Sequence, residues 1–248
     1  MGKRIEFSPI IANSDLITAN VDPPITAKNV IPNWFKNIPR YSDGSKKLRT
    51  DDMSHNLTLR HCSPFLDAFC SGYVMTTWTD IHFTRQKDGS TLISYGNNEL
   101  CRKIDPPLLY QAGVNTYVKG PLGYTDFIFA WKTYWRVRTP KGVSCLFTQP
   151  MNRPDLPFIT LSGVIETDSW TGSDVLNVCM KDDFEGTISK GTPFVQIVPF
   201  IRSDWDSKIQ LTPDCSMENT RATALDERQN KKKSGYYRDK IHVVKKYN

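Results

Sequence analysis

The chain has 248 residues, of which 39% are hydrophobic and 11% aromatic, and its formal net charge is +6. This composition is typical of a globular protein rather than a disordered one. No apolar run approaches the roughly 18 residues that a membrane span needs, and the N-terminus lacks the apolar stretch of a signal peptide.

Residues 1–57 predict an extended, proline-containing N-terminal arm. The run Val21-Asp22-Pro23-Pro24 must be extended or turned, because the residue before a proline avoids helical dihedrals. One short helical turn is expected within Ile31–Pro39, where prolines bracket Trp34 and Phe35. This turn would either clamp the arm onto the body or serve as an exposed docking peptide for a partner.

Residues 58–216 predict a β-rich body of short strands separated by Gly, Pro, Asn and Asp. The expected strands are Ser71–Phe83, Thr91–Tyr95, Phe127–Val137, Val143–Thr148, Phe158–Glu166, Val175–Lys181, Phe184–Ile188 and Phe194–Arg202. Lys87–Ser90 is the turn of a hairpin. Regular spacing of short strands favours a compact β-sandwich or barrel, and Pro199 indicates an edge or a bulge.

Residues 217–248 predict a basic, largely helical tail, with nine Lys/Arg against four Asp/Glu. The expected elements are a helix over Met217–Lys231 and a second helix or strand over Tyr236–Lys246. Such a tail can bind nucleic acid or an acidic protein surface, and the alternative is a solvated end. The candidate contact residues are Lys231, Lys232, Lys233, Arg238, Lys240, Lys245 and Lys246.

The six cysteines are widely spaced and form no CxxC pair, which predicts buried free thiols rather than a zinc site or disulfides. An acidic run from Glu166 to Glu185 has the oxygen ligands that Mg²⁺ or Ca²⁺ prefers, but such a run is more often a solvated loop. We therefore expect no metal site and no cofactor.

The stretch Ser162–Gln196 resembles the core of dUTPases and dCTP deaminases. The matching pieces are Ser162-Gly163-Val164-Ile165-Glu166, Trp170-Thr171-Gly172, Val175 to Val178 and Gly191-Thr192-Pro193-Phe194-Val195-Gln196. The resemblance implies a dUTPase-like β-clip core and a nucleotide pocket beside Gly163, Glu166 and Gln196, shared between the subunits of a trimer. It implies Glu166 and Asp168 as the catalytic acids, and Arg153 as a phosphate contact.

The sequence also departs from that family pattern. The acid is Glu166 where the family has Asp, and Gln149–Pro154 replaces an Arg-Ser phosphate motif. The Gly-rich phosphate arm at the C-terminus is absent, because Ser234–Arg238 holds a single glycine. Phosphate chemistry needs several donors and a metal to stabilise developing charge, so the pattern predicts a fold rather than an activity.

A second resemblance covers more of the chain. The pieces Ile31–Lys36, Phe65–Ala68 with Ser71–Tyr73, Arg136–Pro157 and Gly191–Pro193 look like an uncharacterised family of bacteriophages and bacteria. Our hypothesis is a structural or assembly component of a phage virion, such as a head, neck or tail accessory protein. It would contact other copies of itself and other virion proteins, in the virion or the host cytoplasm. The alternative is a dUTPase-like protein that binds or hydrolyses nucleotides.

Overall fold

The structure is a computed structural model that describes residues 4–49, 56–111, 119–126, 128–170, 175–212, 214–230 and 236–247. The chain divides into two compact units. The first unit comprises Met1–Val30 and Ser71–Arg202, and the second comprises Ile31–Cys70 and Ser203–Asn248. No helix within the described ranges is both long and apolar enough to cross a membrane.

All strands of the described residues lie in the first unit. They are β1 Glu6–Pro9, β2 Ile25–Thr26, β3 Tyr73–Thr76, β4 Ile81–Arg85, β5 Thr91–Tyr95, β6 Leu108–Tyr110, β7 Phe129–Lys132, β8 Trp135–Arg138, β9 Val143–Thr148, β10 Phe158–Thr160, β11 Gly163–Ile165, β12 Val175–Met180, β13 Gly186–Ile188 and β14 Pro193–Ile201. The α-helices are α1 Ser14–Asn20, α2 Asn33–Lys36, α3 Ser63–Cys70, α4 Asn98–Ile104 and α5 Cys215–Gln229. The expectation of a mainly β body is confirmed.

The strands form four antiparallel sheets. Their strand orders are β11-β9-β14-β3-β2, β10-β12-β7-β6, β13-β4-β5 and β1-β8. The hairpin expected at Lys87–Ser90 is confirmed, because Arg85 of β4 lies opposite Thr91 of β5. Pro199 also lies at an edge as expected, since β14 pairs with β3 only as far as Ile197 and continues against β9 alone.

One core joins the four-stranded and five-stranded sheets. Trp131 of β7 is fully buried, with ring centroids 4.9 Å from Phe158 of β10 and 5.1 Å from Phe194 of β14. Its Nε1 donates to Thr160 Oγ1 at 3.0 Å, and that hydroxyl donates to the Phe194 carbonyl. The aromatic centre therefore buries apolar surface without leaving its polar groups unpaired. Side chains filling the space between two sheets are typical of sandwich-like proteins.

Three segments that the sequence predicts as single strands bend partway and continue in another sheet. They are Ser71–Phe83 (β3 and β4), Phe127–Val137 (β7 and β8) and Phe158–Glu166 (β10 and β11). At the first bend, Thr77 Oγ1 donates to the Ser189 carbonyl. At the second, the Tyr134 carbonyl accepts from the Ile10 N–H. These partners are distant in sequence, so the strand pattern contains no sign of the bends.

Residues 4–30 differ from the expected irregular arm. Strand β1 pairs with β8, and β2 pairs with β3, so this segment contributes two strands to the first unit. Helix α1 buries Ile17 completely, in a cluster with Ile10 and Val21. Both strands of this segment pair with parts of the chain more than 40 residues away, so the local sequence pattern does not indicate them.

The second unit contains an aromatic cluster. Phe35 of α2 lies with its ring centroid 4.9 Å from Phe69 and 5.8 Å from Phe65, both in α3. The expected short helical turn is confirmed, and it packs against α3 within this unit. Helix α5 overlaps the segment Met217–Lys231 that the sequence predicts as a helix, and a π-helical turn lies at Tyr237–Ile241.

Candidate functional site

Gln196, which the family resemblance assigns to a nucleotide pocket, is built into the protein interior. Its Oε1 accepts from the Met151 N–H at 2.8 Å, and its Nε2 donates to the Ser71 carbonyl at 2.6 Å. The side chain is buried. The two ends of the amide thus join the loop after β9 to the segment before β3, and the side chain is closed off from solvent.

Gly163 and Glu166 lie at the surface beside the same sheet. Gly163 begins the edge strand β11, opposite Phe147 of β9, and a Cβ there would meet no heavy atom within 4 Å. Strand β9 separates β11 from β14, so Gly163 and Gln196 lie on strands about 10 Å apart. Glu166 is exposed, and its carbonyl accepts from the N–H groups of Ser169 and Trp170. The rest of the matching turn, including Gly172, lies outside the described residues.

Asp168, the second candidate acid, is occupied by structural hydrogen bonds. Its side chain is 6% exposed. Arg202 Nη1 donates to Asp168 Oδ1 at 2.9 Å, and the Gly142 N–H donates to Oδ2 at 2.8 Å. The hydrogen bonds from Arg202, which have the largest effect, and from Gly142 lower the pKa of the Asp168 carboxyl well below its usual range. A carboxylate held in this way is a poor general base, because its charge is already stabilised by fixed donors.

Arg202 is held on several sides, and it marks the end of the first unit. Besides Asp168, its guanidinium donates to Ser144 Oγ at 2.8 Å, and its N–H donates to the Gly142 carbonyl at 2.9 Å. The bonds therefore fix the point where the chain leaves β14. We call Arg202 and these partners the anchor.

Arg153 is likewise bound to the protein itself. Its Nε and Nη2 donate to the Asp155 carboxylate at 2.9 and 2.8 Å, and Nη1 lies 3.5 Å from the Val30 carbonyl. The guanidinium side chain is 11% exposed. The pair orders the loop between β9 and β10, and it leaves few N–H donors of the Arg153 guanidinium to bind a phosphate.

The basic tail is partly neutralised. Arg238 pairs with Asp239, and Lys245 Nζ lies 2.8 Å from Asp67 Oδ2. Burial opposes ionisation of Asp67, but hydrogen bonds from Lys245 and His242 outweigh it and lower the pKa of this carboxyl. Lys240 and Lys246 are exposed, whereas Lys231, Lys232 and Lys233 lie outside the described residues.

The thiols are free, but the prediction that they are buried holds for only three of the six. Cys101, Cys145 and Cys179 are buried, whereas Cys62 and Cys215 are exposed. Burial raises the pKa of the Cys101 thiol to about 11. Within the part of the chain that the structure describes, no group of three or more His, Cys, Asp or Glu side chains is placed to hold a metal ion.

An apolar groove in the first unit was not anticipated from the sequence. It has a volume of about 680 Å³ and runs between β5 and β6. Its apolar lining comprises Phe83, Ile93, Tyr95, Leu108, Phe129 and Phe184. Tyr95 Oη donates to the Leu108 carbonyl at 2.7 Å, which connects the two strands across the groove. Arg85 and Lys181 bring positive charge to its rim, and Asp182 and Asp183 bring negative charge.

An exposed segment directly after the anchor was also missed. Residues 203–212, which we call the exit arm, have no regular secondary structure, and each of them is exposed. Trp205, Ile209 and Leu211 are 90%, 85% and 93% exposed. Part of the signal was present in the sequence, because Trp205, Ile209 and Leu211 fall on odd positions and every even position from 204 to 212 is polar. The odd positions also hold two small polar residues, Ser203 and Ser207. That alternation is typical of a strand with one buried face.

No protein-family model matches this sequence, and no curated protein matches it significantly. The function must therefore be inferred from the geometry of the chain. Two features of the described residues stand out. One is the exit arm, and the other is the groove between β5 and β6.

Proposed function

We propose that this protein is a structural or assembly component of a bacteriophage virion and acts through protein–protein contacts. The exit arm is the observation that carries this proposal. It presents Trp205, Ile209 and Leu211 to solvent on a segment without regular structure. Large apolar patches that remain exposed mark interaction sites, and segments that become ordered on a partner are common in assemblies. The phage setting follows from the resemblance of four sequence pieces to a phage and bacterial family.

The state of three candidate site residues supports an assembly role over chemistry, whereas the fourth, Glu166, is exposed. Asp168 binds Arg202, Arg153 binds Asp155, and the Gln196 amide binds two backbone groups. An active site instead leaves an acid or base within reach of a substrate in a cleft. In this chain the same residue types stabilise loops and the exit of the arm.

The finer description of the fold belongs to the same proposal. We assign the sandwich-like core to the dUTPase-like β-clip type, and we expect a homo-oligomer, with a trimer as the form implied by the resemblance. Other virion proteins would be further partners. The protein would then be found in the virion, or in the host cytoplasm before assembly.

Mass spectrometry of purified virions tests the function directly. We expect this chain among the particle proteins, at a copy number that reflects the symmetry of its position. Its absence from intact virions, with clear detection in the infected cell, would refute the proposal. Sedimentation velocity of the purified chain then gives the oligomeric state over a range of concentrations.

The nucleotide alternative makes a different prediction. A dUTPase-like site would give a thermal shift with dUTP or dCTP at millimolar concentration, since a ligand that binds the native state raises its stability. We expect no shift, because the Gln196 amide and the Arg153 guanidinium are bound to the protein itself. Nucleic-acid binding by the tail would instead appear as an affinity that falls steeply with salt.

A further inference from the structure

The exit arm has the pattern of a strand without a sheet. In an extended chain successive side chains point to opposite sides, so Trp205, Ile209 and Leu211 share one face. The opposite face carries Asp204, Asp206, Lys208 and Gln210. Arg202, the last residue of the first unit, is held by the anchor, and the arm begins at the next residue, which opens the second unit.

Strand β5 has an unpaired edge beside an apolar groove. In the described part of the chain, β5 pairs with β4 and with no other strand. Its alternate residues Thr91, Ile93 and Tyr95 line the groove toward β6. An edge strand of this kind exposes N–H and C=O groups that an added strand can bind. A strand added beside β5 would place its own alternate side chains over the groove.

The arm and the groove match in length and in chemistry. Trp205 and Ile209 are four residues apart, as are Thr91 and Tyr95 at the two ends of β5, which corresponds to roughly 13 Å in an extended chain. The groove offers aromatic and aliphatic walls to the apolar face of the arm. Lys181 is exposed at the rim, where it can meet Asp204 or Asp206, which flank Trp205.

We infer that the exit arm of one copy adds as a strand to β5 of a second copy, with Trp205 and Ile209 in the groove of that copy. This inference deepens the proposed assembly function and rests on it. A second copy is the favoured occupant because both halves of the contact occur on this one chain, while the arm is exposed in the single chain. Main-chain bonds would give affinity, and the groove would give specificity.

The symmetry of the assembly follows from this contact. Each copy donates an arm and accepts another, so the interface is formed by two different surfaces. Such head-to-tail contacts close into a ring or continue as a filament, and a three-membered ring is one closed solution.

Photo-cross-linking of the full chain tests the inference. A variant with benzoylphenylalanine in place of Trp205 is mixed with the ¹⁵N-labelled natural chain. The mixture is irradiated, and the digested products are identified by mass spectrometry. We expect cross-links from position 205 to labelled peptides that contain Thr91–Tyr95 or Leu108–Tyr110. A matched probe, Gln210→benzoylphenylalanine, lies on the opposite face of the arm and should give few of these cross-links.

Measuring the affinity of self-association complements the cross-linking experiment. Trp205→Ser should weaken self-association by about 30-fold or more, as expected when an aromatic side chain buried in an interface is lost. Val164→Ser removes an exposed valine of β11, a strand of another sheet, and should leave self-association unchanged.

Two results would overturn the inference, and they separate it from the proposed function. Cross-links that map to another surface, in a chain that still self-associates and occurs in virions, would refute the arm contact but leave the assembly role intact. A chain that remains monomeric at high concentration and is absent from virions would refute both.

Discussion

Replacing Gln196 by methionine separates a structural role for this side chain from a role in ligand binding. Gln196→Met keeps the length of the side chain and removes the two hydrogen bonds of its amide, with the Met151 N–H and the Ser71 carbonyl. A buried polar group left without a partner costs roughly 1–3 kcal/mol. Met151 and Ser71 are half-buried, so water can recover part of that loss. We therefore expect the free energy of unfolding to fall by about 2–4 kcal/mol.

Urea denaturation followed by tryptophan fluorescence measures this change. The matched control is Gln210→Met, because Gln210 is exposed in the exit arm and should change the free energy of unfolding by less than about 0.5 kcal/mol. If Gln196→Met lowered the free energy of unfolding by less than about 1 kcal/mol, the amide hydrogen bonds would not be important for stability. A loss of dUTP binding with unchanged stability would instead favour the nucleotide alternative.

Three further predictions use other parts of the first unit and the arm. Gly72→Ala should cost about 3–5 kcal/mol in thermal or urea unfolding, because φ is +69° and a Cβ would stand 1.9 Å from the Ile197 carbonyl oxygen. Gly191→Ala, with φ +84° and open space, should cost only about 1–2 kcal/mol, so equal losses would contradict the close approach. The native pKa of Asp168 lies below its unfolded value, so its ionised form stabilises the fold above about pH 4 and this contribution is lost as the pH falls. The stability difference between the natural chain and Asp168→Asn should therefore narrow from pH 6 to pH 3, and a difference that stays constant would refute the ion-pair explanation. Trypsin should cut the exposed arm after Lys208 in dilute protein and more slowly at concentrations where copies associate, whereas a rate independent of concentration would count against burial of the arm.

Elements set by local pattern could be predicted well from the sequence. Strand β9 has the bounds that its β-branched and aromatic residues indicate, and α5 lies within two residues of the expected helix. The bend between β10 and β11 could not be predicted, because the partners that separate them, β12 and β9, are far apart in the sequence. The role of Gln196 was hidden for the same reason, since Ser71 lies 125 residues away.

The exit arm was missed for a different reason. Its alternation of apolar and polar residues is a local signal, but no turn separates it from the strand before it. The arm follows β14 without a turn, and its polar face carries Asp204, Asp206 and Lys208. A strand pattern therefore predicts only that a segment can join a sheet. Whether that sheet belongs to the same chain depends on the exposure of the side chains, which the sequence does not contain.

Strand β14 connects the interior of the first unit to the proposed interface. Its first half is buried, and there Gln196 ties two loops together. At Pro199 the strand has already lost one neighbour, and at Arg202 the anchor fixes the chain through Asp168 and Gly142. Residues that would serve a substrate in an enzyme of this pattern thus stabilise the root of an arm. Because a rigid root lowers the entropy lost when the arm binds, the same bonds that remove Asp168 from chemistry would strengthen assembly.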